Sequence, residues 1–83
     1  MRNVIYTKQF CKDWRKARKT PLAHTIEKLV ALVQNNPFQN PPPYEKLRGY
    51  EHTYSRRINE QHRLLYSVKG EDILLEGCWG HYE

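Results

Sequence analysis

Cysteine is scarce in this 83-residue sequence: only Cys11 and Cys78 occur, in no CxxC and in no Cys/His ligand spacing. That excludes a Cys-based metal motif and fits two small buried hydrophobes in a reducing compartment. The opening MRNVIYTKQFCKDW lacks the apolar run of a signal peptide, and no segment approaches the length needed to span a bilayer. The expected location is therefore cytoplasmic, with no membrane contact. The four histidines, His24, His52, His62 and His81, share neither i, i+4 spacing nor cysteine companions, and P-loop, GxGxxG and GxSxG motifs are absent. No metal or other cofactor is expected. Internal repeats and low-complexity segments are lacking too, so the whole chain, 1–83, reads as a single domain.

What is present is positive charge and aromatic bulk. Fourteen Lys plus Arg against nine Asp plus Glu give +5, a field that favours nucleic acid, an anionic surface or an acidic protein partner without choosing among them. Mean hydropathy is −0.90, polar for a folded domain, but two Trp, six Tyr and two Phe can anchor a compact core. A chain this short encloses no large cavity, so an open groove is the expected form of any site.

Period-2 alternation in RNVIYT (2–7) predicts an opening strand. From Lys8 to Lys19 the period changes: Phe10, Trp14 and Ala17 fall on one helical face, while Lys8, Lys12, Lys16 and Lys19 run down another. A solvated outer surface is the ordinary reading of that lysine stripe, and phosphate contact is the alternative. Thr20 and Pro21 signal the start of a second helix, whose apolar stripe of Leu22, Ile26, Leu29, Val30 and Val33 ends at Asn35-Asn36-Pro37. NPFQNPPPYEKLRGY (36–50) then holds four of the five prolines and reads as a stiff loop presenting Tyr44, Glu45, Lys46 and Arg48. Three strand-like runs follow, TYSRRI, HRLLYSV and DILLEGCWGHY, with short turns that make neighbours antiparallel. The order β-α-α-loop-β-β-β predicts an α+β fold, a twisted, mainly antiparallel sheet packed on a helical hairpin.

Alternation also sorts the basic residues. Arg56 and Arg57 must point to opposite faces; if Arg56 shares a face with Tyr54, then Arg57 lies opposite with Ser55. In the next run Leu64, Tyr66 and Val68 read as core, which turns Arg63 outward. One consistent solution sets Arg57 beside Arg63 on an open sheet face, although two exposed strand arginines are as often merely solvated. A hairpin between the last two strands brings His81 toward Arg63. His81 and Tyr82 with Arg63, Arg57 and Glu45 form a set with the chemistry to bind and cleave a phosphodiester.

Here the sequence resembles a known family. The segments NPF, EKLRG, YSRRINEQHRLLYSV and ILLEGCWGHY, with the aromatic and basic first helix, are similar to YoeB/Txe-type toxins, the RelE-like mRNA interferases of bacterial type II toxin–antitoxin modules. Most specific are SRRI, QHRLLY and the terminal GHY. The resemblance implies a RelE/ParE-like fold and ribosome-dependent cleavage of mRNA in the A site, by 2′-OH attack on the adjacent phosphate. It assigns Glu45 as general base, Arg63 as the cation that steadies the transition-state phosphate and His81 as general acid. Tyr82, Arg57, Arg48, Lys46 and Arg56 become RNA-binding or supporting positions. Glu83 after the tyrosine departs from the family pattern. A YefM/Axe-like antitoxin with an acidic, disordered C-terminal segment is implied as partner, beside the ribosome and mRNA; operator DNA is contacted only through the antitoxin complex, and members are often homodimers. Two other readings carry the same arginines: a ParE-like gyrase inhibitor that cuts no RNA, and a non-catalytic RNA-binding or co-repressor module.

Overall fold

A computed structural model of the protein describes residues 2–80. The β-branched start of the chain forms β1 (Asn3–Tyr6), and Thr7 turns it directly into α1 (Lys8–Ala17). Thr7 stays extended at φ −73° and ψ 163°; its hydroxyl accepts the Phe10 N–H at 3.2 Å and donates to the Leu75 carbonyl at 2.7 Å. One side chain thus caps the helix and ties it to the sheet. Thr20 plays the matching part at the next break, donating to the Ala17 carbonyl at 2.7 Å and accepting the Leu22 N–H at 3.1 Å. α2 (Leu22–Asn35) starts there, with Pro21 at its entrance, where a missing N–H costs nothing. The first helix is two residues shorter than its lysine spacing predicts, because Arg18 already caps it.

Four strands follow: β2 (Glu45–Lys46), β3 (Thr53–Arg57), β4 (Arg63–Lys69) and β5 (Asp72–Gly77). They join β1 in one five-stranded sheet of order β1-β5-β4-β3-β2. The β2–β3, β3–β4 and β4–β5 pairs are antiparallel, and β1 runs parallel to β5 with Val4 opposite Ile73. The α+β class and the mainly antiparallel sheet are as expected. Two details differ. The proline-rich stretch contributes a two-residue strand, and the last strand stops at Gly77: the β4–β5 register slips between Leu65 and Tyr66, and Gly80 adopts φ +119°, a value that strands do not use.

The apolar faces of both helices, through Phe10, Ala17, Ile26, Leu29 and Val33, meet Leu64, Tyr66, Ile73 and Leu75 of the sheet. Burial of the larger of these apolar side chains, each worth roughly 1.5–3 kcal/mol, holds the layers together. Into this core reaches one carboxylate, Asp13, which is 2% exposed and accepts the Gln9 side-chain amide at 2.8 Å and the Cys78 N–H at 3.0 Å. The segment after β5 is therefore anchored to α1.

Burial, reinforced by the Asp13 charge, pushes the Cys78 thiol from 9.0 up to about 12. The sign follows directly: the unfolded thiol ionises near pH 9 and the folded one only near 12, so this contribution to stability is intact below pH 9 and is lost as pH climbs from 9 toward 12. Tyr66, raised above 10.0 chiefly by burial, acts in the same direction. Urea midpoints are expected to fall from pH 8 to pH 10, and a thiol reagent should label the exposed Cys11 in the native protein but Cys78 only after unfolding. Equal labelling of both thiols in the native state would refute the buried placement of Cys78.

Candidate active site

The antiparallel register sets Glu45 opposite Ser55 and Arg57 opposite Arg63. Because directly opposed residues share a face, Glu45, Ser55, Arg57 and Arg63 occupy one side of the sheet. The helices cover the other side, where Tyr54, Leu64 and Tyr66 point. Arg63 Nε donates to Ser55 Oγ at 3.1 Å, which fixes the plane of the guanidinium, and Arg63 Nη2 lies 4.0 Å from Glu45 Oε2. The arginine side chain is 15% exposed and the glutamate 77%. So loose a pair in solvent contributes little stability. Its geometry instead leaves a cation and a carboxylate side by side, each with hydrogen-bonding capacity unspent among the described residues.

Two arginines directly across a strand pair repel one another, a cost of a few tenths of a kcal/mol to about 1 kcal/mol. Arg57 is exposed and forms no salt bridge among the described residues. Such a local conflict is relieved when an anion sits between the two guanidinium groups, and proteins keep conflicts of this kind at working sites. Beneath the arginines lies Leu65, opposite Ser55, and beyond it the face is polar and ordered: Thr53 Oγ1 and Ser67 Oγ lie 2.9 Å apart, and Ser67 donates to Glu76 Oε2 at 2.8 Å.

The segment carrying Glu45 is held from inside by Arg56. Of the two roles expected of this residue, RNA-binding or supporting, only the second fits, because it is 0% exposed and no RNA can reach it. Its Nη1 donates to the Pro42 carbonyl at 2.6 Å, its Nη2 to the Pro37 and Gln39 carbonyls at 3.0 and 2.9 Å, and its Nε to Tyr66 Oη at 3.2 Å. The Tyr66 hydroxyl donates in turn to the Pro37 carbonyl at 2.7 Å. Arg56 Cζ also lies 5.0 Å from the Tyr44 ring centre, and Tyr44, Phe38 and Tyr54 pack with centroid separations of 5.2 to 5.9 Å. Arg56 is thus the internal brace of the proline-rich loop. Prolines carry no N–H but still present carbonyls, and a guanidinium supplies five donors from one side chain.

The other predicted residues separate. Arg48 is exposed in the turn after β2, where Gly49 takes φ +84°, close in sequence to Glu45. Lys46 pairs opposite Tyr54 and so faces away from Glu45. His81 and Tyr82 lie outside the described residues. The chain just before them is well placed: the Arg63 N–H donates to the Gly80 carbonyl at 3.0 Å, and the Gly80 N–H donates to His62 Nδ1 at 2.9 Å. Ser55 and His62 were not singled out from sequence. Strand alternation points Ser55 at Arg63, but no motif marks it.

A groove of about 670 Å³ lies on the helix side, lined by Tyr6, Phe10, Trp14 and Val30 among others, and contains none of the predicted site residues. The shallow sheet face is the better candidate, because the opposed charges, the ordered hydroxyls and the braced loop converge there. Among the described residues no group of three or more His, Cys, Asp or Glu side chains is arranged to hold a metal ion.

Comparison with known proteins agrees with this architecture. The model of the YoeB-like toxin of bacterial type II toxin–antitoxin systems matches residues 6–82. Toxin YoeB of Synechocystis sp. is 34% identical over 74 residues, covering 84% of this chain and 83% of the relative. The Staphylococcus aureus YoeB dimer superposes with a TM-score of 0.83 at 28% identity, covering 96% of this chain and 97% of that one. YoeB in the YoeB–YefM complex of the same organism gives 0.81 at 28% identity and covers 99% of both chains. With the sheet order, the braced loop and the Glu45–Arg63 face in place, the chain belongs to the YoeB-like toxins of bacterial type II toxin–antitoxin systems.

Proposed function

We propose that this toxin is a ribosome-dependent mRNA endoribonuclease that cleaves in the A site. The observation that carries the reading is the single sheet face on which Glu45, Ser55, Arg57 and Arg63 meet, with Gly80, the residue before His81, hydrogen-bonded to the Arg63 backbone.

In this reading Glu45 takes the proton from a ribose 2′-OH, and the 2′-oxygen forms a bond to the adjacent phosphorus. The bond from phosphorus to the 5′-oxygen breaks, and His81 protonates that oxygen. The products are a 2′,3′-cyclic phosphate and a 5′-hydroxyl. Each positioned acid or base is worth roughly 10²–10⁴-fold in rate. Arg63, oriented by Ser55, offers its fork to the phosphoryl oxygens as charge builds on them. Arg57 and Arg48 hold the backbone on either side, Tyr82 supplies an aromatic surface at the groove, and Lys46 and the lysine face of α1 add long-range attraction. The need for a 2′-OH restricts the substrate to RNA.

The same face suits restraint by an acidic antitoxin segment, since a flexible carboxylate-rich chain relieves the Arg57–Arg63 repulsion as RNA does. The S. aureus relative is solved both as a dimer and with YefM, which supports a YefM/Axe-like antitoxin and a homodimer as partners here; operator DNA would be reached only through the antitoxin complex. No helix among the described residues is long and apolar enough to cross a membrane, and a ribosomal target places the protein in the cytoplasm.

Mapping of 5′ ends on an mRNA incubated with the protein, with and without ribosomes, tests the activity. Cuts at one position within codons, present only with ribosomes and lost in His81→Ala, are expected. An uncut mRNA under both conditions would favour the gyrase-inhibitor or binding-module reading.

A further inference from the structure

We propose that His62 is a positioning residue that fixes the Gly80 peptide, from which the chain continues to the proposed acid His81; this rests on the nuclease reading above. His62 opens the β4 edge of the β3–β4 turn and is itself immobilised. Its N–H donates to Asn59 Oδ1 at 2.7 Å, and its carbonyl accepts the Ile58 and Asn59 N–H groups at 2.9 and 3.2 Å. From this fixed base the imidazole does two things. Its ring stacks on Trp79 with centroids 3.9 Å apart and planes 22° from parallel, and its Nδ1 accepts the Gly80 N–H at 2.9 Å. Nδ1 must therefore be the unprotonated nitrogen, and the ring proton resides on Nε2.

The neighbouring residue completes the grip. The Arg63 N–H holds the Gly80 carbonyl at 3.0 Å, while Asp13 holds the Cys78 N–H at 3.0 Å. The three residues preceding His81 are thus pinned through Cys78 N–H, the Trp79 ring and both polar groups of Gly80, although regular strand pairing has already ended at Gly77. Gly80 sits at φ +119°, where other residues are strained. Its direction therefore has to be set by partners and not by intrinsic preference. An acid that must sit within about 3 Å of a departing oxygen gains from such a mount, because roughly 1 Å of misplacement can cost on the order of 10²-fold in rate. His62 touches no reacting atom in this scheme; it works through the peptide of Gly80.

Two substitutions separate the acceptor from the ring. His62→Phe keeps a ring against Trp79 and removes the Nδ1 acceptor; His62→Asn places Oδ1 where Nδ1 was and removes the stack. In single-turnover cleavage on programmed ribosomes, His62→Phe is expected to lower the rate of the chemical step by up to roughly 10²-fold. The KM for ribosome complexes should stay within about twofold, and His62→Asn should recover most of the loss. In parallel, ¹H–¹⁵N spectra of the protein should show the Gly80 amide displaced in His62→Phe and near its wild-type position in His62→Asn. The wild-type His62 nitrogens should report an unprotonated Nδ1. If His62→Phe does not fold, His62→Gln, which reaches the Nε2 position but leaves no acceptor at Nδ1, carries the same expectation.

A His62→Phe protein that cuts as fast as wild type with a displaced Gly80 amide overturns the positioning role, and an unmoved Gly80 amide overturns the clamp itself. Wild type that makes no ribosome-dependent cuts overturns the nuclease reading, and the role of His62 with it, so the two failures are told apart by the wild-type lane.

Discussion

Arg63→Ala is expected to lower ribosome-dependent cleavage by about 10²–10³-fold, the usual cost of removing one preorganised stabiliser of transition-state charge, while leaving the fold standing. The small structural cost follows from the contacts. Among the described residues the side chain makes one hydrogen bond, to Ser55 Oγ, and a 4.0 Å pairing with the exposed Glu45, and its removal also ends the repulsion with Arg57 across the strand pair. Stability should change by less than about 1 kcal/mol. Arg63→Lys should recover only part of the activity, because an ammonium restores charge but not the planar fork that Ser55 orients. His81→Ala should cost a similar or larger factor, about 10²–10⁴-fold. Single-turnover cleavage on programmed ribosomes, paired with thermal melts, measures both quantities. A folded Arg63→Ala His81→Ala protein that still cleaves at the wild-type rate would remove the mechanism.

The opposite pattern is expected at Arg56. Arg56→Ala removes the donors that serve the Pro37, Gln39 and Pro42 carbonyls and opens a hole beneath Tyr44 and Tyr66. Breaking a buried charged network of this kind costs roughly 3–5 kcal/mol, against a total of about 5–15 kcal/mol for a typical domain. For a domain of this size that lowers Tm by roughly 20 °C. Methionine at this position fills part of the volume but leaves the Gln39 and Pro42 carbonyls without the guanidinium donors, with only the Tyr66 hydroxyl still serving Pro37, so it should rescue little. Lysine keeps the charge on a single head that cannot reach all three carbonyls. Cleavage by any Arg56 variant that remains folded should also drop, because Glu45 loses the brace behind its loop. A melt of Arg56→Ala within about 2 °C of wild type would show that the proline-rich segment is held by other means.

These two arginines also show what could be read from the sequence and what could not. The two-residue period of β3 was enough to send Arg56 and Arg57 to opposite faces and to set Arg57 beside Arg63, and the register bears this out. It gave no sign that Arg56 would be fully buried, because its partners are main-chain carbonyls, which have the same identity in every sequence. The helical hairpin was legible because Thr20, Pro21 and Asn36-Pro37 punctuate an apolar stripe with helical spacing. β2 was not: two residues are too few to show a period, and the surrounding prolines argue for loop. The parallel β1–β5 pairing was hidden as well, since alternation reveals that a strand exists but not which neighbour it takes. His62 escaped notice because its work depends on an acceptor nitrogen meeting a glycine amide eighteen positions later.

That parallel pairing joins residues 69 positions apart, Asn3 with Asp72. Chains emerge from synthesis amino end first, and contacts of such long range form late. Until β5 has been made, β1 has no strand beside it, the helical hairpin lacks the Ile73 and Leu75 floor, and Asp13 lacks the Cys78 amide. The Glu45–Arg63 face can therefore be mounted only once β5 stands between β1 and β4, which makes its geometry one of the last products of folding.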